Sequence, residues 1–280
     1  MQVLAHRVVW SAVLLGAVVA LAGSWHRILG VAGDRRCLVK LTLSATAIAL
    51  NWGVFIWAVD QQRVLECSLG YFVAPLVSVL LGIAVLGERL SRWQWLAVIL
   101  AAAGVVHQVV AFGTLPWVAL VLAFSFAIYG LLRKLTSVDA VGGLLIEALV
   151  LSPLAIAYLV TVGIGGKVAF GQDGWELDLL LVLAGPVTAL PLILFVTATR
   201  RIRLATIGLL QYITPTGHFL LAVFVFGERF ATASLMTFMV IWMALFIYSA
   251  DTVRRLTTSF ASRPFILSRP QDDDRVRFDR

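Results

Sequence analysis

Apolar residues in this chain come in long unbroken runs, not in the alternation of a strand or the single face of a half-wet helix. Nine such runs are readable, at approximately 3–23, 38–59, 64–86, 93–113, 114–133, 140–162, 177–198, 204–226 and 233–250. About 20 apolar residues cross a bilayer core as a helix. Lipid offers the backbone no hydrogen-bond partner, so only helices and closed barrels span it, and the missing period of two selects helices. The gaps are short and punctuated by Gly and Pro, as at Gly113-Thr114-Leu115-Pro116. The pattern predicts an all-α polytopic membrane protein with nine transmembrane helices. Residues 251–280 leave the pattern; rich in Arg, Asp, Ser and Pro, they are expected to form a largely disordered tail.

One stretch occurs twice, 140 residues apart. Arg63–Arg89 and Arg203–Arg229 align without a gap, sharing among others Leu69/Leu209, Pro75/Pro215 and the triplets Gly87-Glu88-Arg89 and Gly227-Glu228-Arg229. Each copy is an apolar run with a proline near its middle. Paired runs of this kind point to the binding site of a carrier built from two related halves. The shift divides the chain into a first half over 1–113, a second over 114–250 and the tail over 251–280. Under it, every span of the second half has a partner in the first except 114–133, whose partner would precede residue 1. The expected architecture is five helices plus five with the first missing, its seat lying among the spans 3–23, 38–59 and 64–86. Five is odd, so the halves face opposite ways, an inverted repeat that suits alternating access.

Composition agrees with the pattern. Of the 280 residues 61% are hydrophobic and only 13% charged, about half the charge of a soluble domain. The net charge of +7 does not form one basic face, so no nucleic-acid partner is expected. It is distributed between loops and tail: with loops placed alternately, one side receives 18 Lys and Arg and the other 4. The positive-inside rule puts the 18, and the tail, in the cytoplasm, and the amino terminus outside. Arg7 and Arg133 enter this tally as loop cations. Cys37 and Cys67 are read as small apolar filler. The first run lacks a cleavage site and is read as a span, not a signal peptide.

Several phrases, taken in order, resemble a known family. They are His6-Arg7-Val8-Val9-Trp10-Ser11, Asn51-Trp52 through Val59, Ser68-Leu69-Gly70-Tyr71-Phe72 to Pro75-Leu76, and Gly87-Glu88-Arg89-Leu90, with Gln211-Tyr212-Ile213 and Pro215 as the second-half counterpart. They resemble the RarD branch of the EamA-type drug/metabolite transporters, over about 1–250. The resemblance implies a ten-helix, inverted-repeat carrier of bacterial inner membranes. This chain opens where the second helix of family members starts; a start codon placed late and a nine-helix variant both fit.

Ionisable and amide side chains inside a span cost several kcal/mol and are functional candidates by default. Glu147 lies well inside its span among leucines, and either exchanges protons, receives a substrate ammonium group, or pairs with a loop arginine near the membrane face. Glu66 is the second proton-coupling candidate, although an acid in a first helical turn also suits the helix dipole. Glu88 and Glu228 follow a Gly at span ends and are read as caps. His107 and His218 are mid-span, where a histidine ordinarily bonds a neighbour. Pro75 and Pro215 are helix kinks that free the carbonyls of Tyr71 and Gln211 one turn earlier. Around them, Asn51, Trp52, Trp57, Tyr71, Tyr129, Gln211, Tyr212 and His218 are the candidate substrate-binding residues, an aromatic and amide lining suited to an amphipathic or cationic organic solute.

The chain carries no zinc-protease, serine-hydrolase or phosphate-loop signature and no Cys/His cluster of metal spacing. It is therefore read as a non-enzyme without metal or cofactor. With no ATP site, transport would be secondary. The expected partners are a small-molecule substrate and the lipid bilayer, and the sequence carries no signal of oligomeric state. The alternative is a membrane protein that does not transport, a truncated remnant or an interaction partner.

Overall fold

The computed structural model describes residues 1–113, 116–166, 170–172, 174–224 and 232–261. The second triplet, Gly227-Glu228-Arg229, and residues 262–280 lie outside the described residues, as does the side chain of His218. The described residues form helices and no strand: α1 (Gln2–Leu21), α2 (Trp25–Gly33), α3 (Arg35–Asp60), α4 (Val64–Ala84), α5 (Arg92–Phe112), α6 (Trp117–Lys134), α7 (Ala140–Ile164), α8 (Trp175–Arg201), α9 (Leu204–Leu210), α10 (Ile213–Phe224) and α11 (Thr232–Ala261). Eight of them are long and apolar enough to cross a membrane. The chain is a polytopic all-α membrane protein. Its long helices begin where the sequence supplies caps, with Asp34 receiving the amides of Arg36 and Cys37, Ser91 and Gln94 closing a capping box, and Asp139 receiving that of Gly142.

The span expected at 204–226 is not one helix. It breaks at Gln211-Tyr212, between α9 and α10. Pro215 has no N–H to give the Gln211 carbonyl, and that carbonyl accepts instead from the Thr214 amide at 3.0 Å. The Gln211 amide is shared between Ile207 and Gly208 and the Tyr212 amide reaches Leu209, so the turn before the proline tightens to three-residue spacing. Pro75, by contrast, sits inside a continuous α4. Two other expectations change. Residues 25–33, read as loop, form α2. The first part of the tail, 251–261, continues α11, because Asp251 is tied to Arg255 at 2.7 Å and to the Ser91 hydroxyl at 2.7 Å.

Packing interleaves the chain. One core joins α1, α3, α6, α7 and α8 around residues such as Leu15, Leu41, Tyr129, Leu145 and Val196. A second joins α4, α5, α9 and α11 around Val79, Ala101, Leu209 and Ile241. Helix α4 links them by packing on both α6 and α9. Its contact with the broken span is close. A Cβ on Gly208 would stand 2.6 Å from the Pro75 carbonyl oxygen, so glycine is what lets the backbones meet there. Along the contact Gly82 lies by Ala205, Pro75 by Gly208 and Phe72 by Tyr212, so the two segments run antiparallel.

Candidate substrate cavity

The break between α9 and α10 opens onto a cavity of about 450 Å³, within the usual range for small-molecule sites. Helix α3 contributes Asn51, Trp52 and Phe55, and α4 contributes Tyr71. Gln211 comes from the break itself, Thr214 from the first turn of α10, Thr188 from α8 and Arg7 from α1. The cavity therefore collects Asn51, Trp52, Tyr71 and Gln211 from the expected set. Tyr71 meets the Phe55 ring edge-on at 6.4 Å. Asn51 donates its amide hydrogens to the Leu122 carbonyl at 2.8 Å and the Ser125 hydroxyl at 2.9 Å, which turns its carbonyl oxygen into the free end. The Gln211 Nε2 is buried and has no hydrogen-bond partner. Arg7 lays its guanidinium over Trp52, 4.5 Å from the ring centroid, and donates from Nε to the Thr188 hydroxyl at 2.8 Å.

The other candidates lie elsewhere. Trp57 packs at a tilt on Trp117, 5.4 Å between ring centroids, beside the Arg63 guanidinium, at the end of α3 and away from the cavity. Tyr212 is fully buried and donates its hydroxyl to the Phe72 carbonyl at 3.1 Å, bracing α4 against the break. Glu66 pairs with Arg63 at 2.8 Å and accepts from the Val118 amide at 3.4 Å, which caps α6. Glu88 accepts from the Leu204 and Ala205 amides at 2.7 and 2.9 Å and so caps α9. His107 faces the Thr237 hydroxyl at 3.1 Å.

Glu147 and Tyr129 belong to a buried polar cluster behind the cavity. Glu147 is 2% exposed and Arg133, in the last turn of α6, 0%. The Ser44 hydroxyl donates to Glu147 Oε1 at 2.5 Å, and Arg133 Nε lies 3.5 Å from the same oxygen. Arg133 Nη2 donates to the carbonyls of Asp139 and Ala140, each at 3.3 Å. Glu147 Oε2 and the Tyr129 hydroxyl have no hydrogen-bond partner. A recess of about 20 Å³, room for one water, separates Glu147 from the cavity; both spaces share Trp52, Thr188 and Leu192 as walls.

Residues 1–109 match the EamA-like transporter family. A "Protein RarD" from Salmonella typhi is 46% identical over 252 residues, covering 90% of this chain and 86% of that protein. The chain belongs to the RarD branch of the EamA transporters. A protein of Vibrio cholerae called an uncharacterized transporter is 46% identical over 254 residues, 91% of this chain and 84% of its own length. A solved crystal structure superposes with a TM-score of 0.65 at 17% identity, over 91% of this chain and 88% of its own, and shows the shared fold alone. RarD relatives of bacteria and the long apolar helices place the chain in the inner membrane as a multi-pass protein of drug/metabolite transporter type.

Within this RarD-type chain, sequence reasoning missed Arg7, Ser44, Arg133 and Thr188. The signal for the two arginines was present. Both fall inside or at the edge of an apolar run, where a cation is as costly as the carboxylate of Glu147.

Proposed function

We propose that this chain is a secondary transporter that moves small organic solutes through the cavity at the α9–α10 break by alternating access. One observation carries the reading. Aromatic, amide and hydroxyl groups from α3, α4, α8 and the break meet around a single drug-sized space inside an otherwise apolar helical protein. Discontinuous helices at the junction of two halves are where carriers bind their cargo. The antiparallel run of α4 against its repeat partner supports two halves, 1–113 and 114–250, of opposite orientation. The Lys and Arg bias supports a cytoplasmic carboxyl terminus.

Coupling to protons is proposed through Glu147. Its Oε1 is engaged by Ser44 and Arg133, Oε2 has no hydrogen-bond partner, and the residue lines a small recess that shares walls with the cavity. Glu66, held between Arg63 and the start of α6, acts as a structural cap. The test is flux into proteoliposomes across a metabolite panel, with and without a proton gradient. Gradient-driven accumulation of at least one solute is expected. Glu147→Gln should remove that accumulation and spare counterflow exchange, since only the protonation cycle is lost. Loss of both activities together would assign Glu147 to folding, and absence of flux for every solute would return the chain to the non-transporting alternative.

A further inference from the structure

The charge on the cavity wall is one-sided. Among the described residues that line it, Arg7 is the only ionisable side chain that bears charge at neutral pH, and none is Asp or Glu. Among the described residues no carboxylate pairs with Arg7. Its Nε is used on Thr188 and one face of its guanidinium on Trp52. These two contacts hold the plane in place, and among the described residues neither Nη nitrogen has a hydrogen-bond or ion-pair partner. Glu147 does not neutralise it, because that carboxylate lies beyond the Trp52 and Thr188 wall and is committed to Arg133 and Ser44.

A second unspent donor shares the space. Gln211 Nε2 is buried without a partner on the same wall, at the point where α9 ends. Thr214 follows it in the first turn of α10, at the end of a helix dipole that favours negative charge. The rest of the lining is largely apolar, including Phe55, Phe126 and Phe195, with Asn51, Tyr71 and Thr188 as its further polar side chains. Two donors on the wall of one otherwise largely apolar cavity describe a ligand with an acid group on an apolar body.

We propose that the substrate is an amphipathic organic anion, its carboxylate or equivalent acid group received by Arg7 with Gln211 as a second donor. The inference rests on the transporter reading and narrows it. A planar guanidinium whose Nη1–Nη2 edge is free matches a carboxylate in a bidentate pair. A cationic solute, which aromatic composition alone would also admit, meets an uncompensated like charge here and is rejected.

The test uses the full chain in detergent micelles and a set of probes that differ in charge on one skeleton: phenylpropionate, phenylpropionamide and phenylpropylamine. Binding is read by calorimetry, and counterflow of each probe in proteoliposomes. The acid should bind about tenfold or more tightly than the amide, with the amine weakest. Arg7→Gln should erase the preference of acid over amide while leaving amide binding within a few-fold; Arg7→Lys should restore part of it. Gln211→Leu should weaken the acid by about tenfold. Preference for the amide or amine, or an acid preference that survives Arg7→Gln, overturns the anion assignment and leaves transport standing. Binding of no probe of any charge counts against the transporter reading and this inference with it.

Discussion

Arg133 is a cation without exposed surface, and the space it fills exists because residue 143 has no side chain. A Cβ on Gly143 would overlap both Nη atoms. Arg133→Ala should destabilise the protein by about 3–5 kcal/mol, because Glu147 is then a buried charge without its counterion. Gly143→Ala should cost about 1–3 kcal/mol by displacing the guanidinium. The two effects share one cause, so adding Gly143→Ala to Arg133→Ala should cost almost nothing, which unfolding of the two single variants and the double in detergent would measure. Simple addition would mean that Gly143 matters for another reason. The same residues show the reach of sequence at this scale. Glu147 was legible because it lies among leucines; Arg133 and Arg7 carried the same signal but ambiguously, because a cation near the end of an apolar run also fits a loop. Only the structure shows that α6 carries its cation inward against α7 and that α1 turns Arg7 onto Trp52.

At the scale of elements, both prolines were legible, and what each does was not. Pro215 divides its span because the turn before it tightens and the Gln211 carbonyl finds Thr214. The close seat of α9 on α4 then depends on Gly208. Gly208→Ala should lower stability by about 1–3 kcal/mol, since its Cβ meets the Pro75 carbonyl oxygen rather than a side chain that can move. Gly53 is the control. It lies in α3, and a Cβ there would meet nothing within 4 Å, so Gly53→Ala should stabilise by up to about 1 kcal/mol through helix propensity. Thermal unfolding of both variants would show opposite signs; like signs would remove the close approach as the reason for Gly208. Helix α6 is seated on α3 and α4, so packing interleaves early and late helices of the chain.

For the whole molecule, the run lengths and the repeat carried the fold class, and the family phrases carried the transporter type. They left the cavity half drawn. Asn51, Trp52, Tyr71 and Gln211 share it because α3, α4 and the break converge, whereas Tyr129, Tyr212 and Trp57 are equally aromatic and face other helices. An empty cavity walled by Arg7 carries one positive charge, and a monovalent anion cancels it. Rearrangement of the filled protein then moves no net cavity charge through the membrane field, while return of the empty protein moves one. Each elementary charge crossing the full field is worth about 2.3 kcal/mol per 100 mV. Counterflow exchange of phenylpropionate, which cycles only filled protein, should therefore be indifferent to an imposed potassium-diffusion potential, and net flux of the same anion should follow it. A current during exchange would report a further charge travelling with the solute.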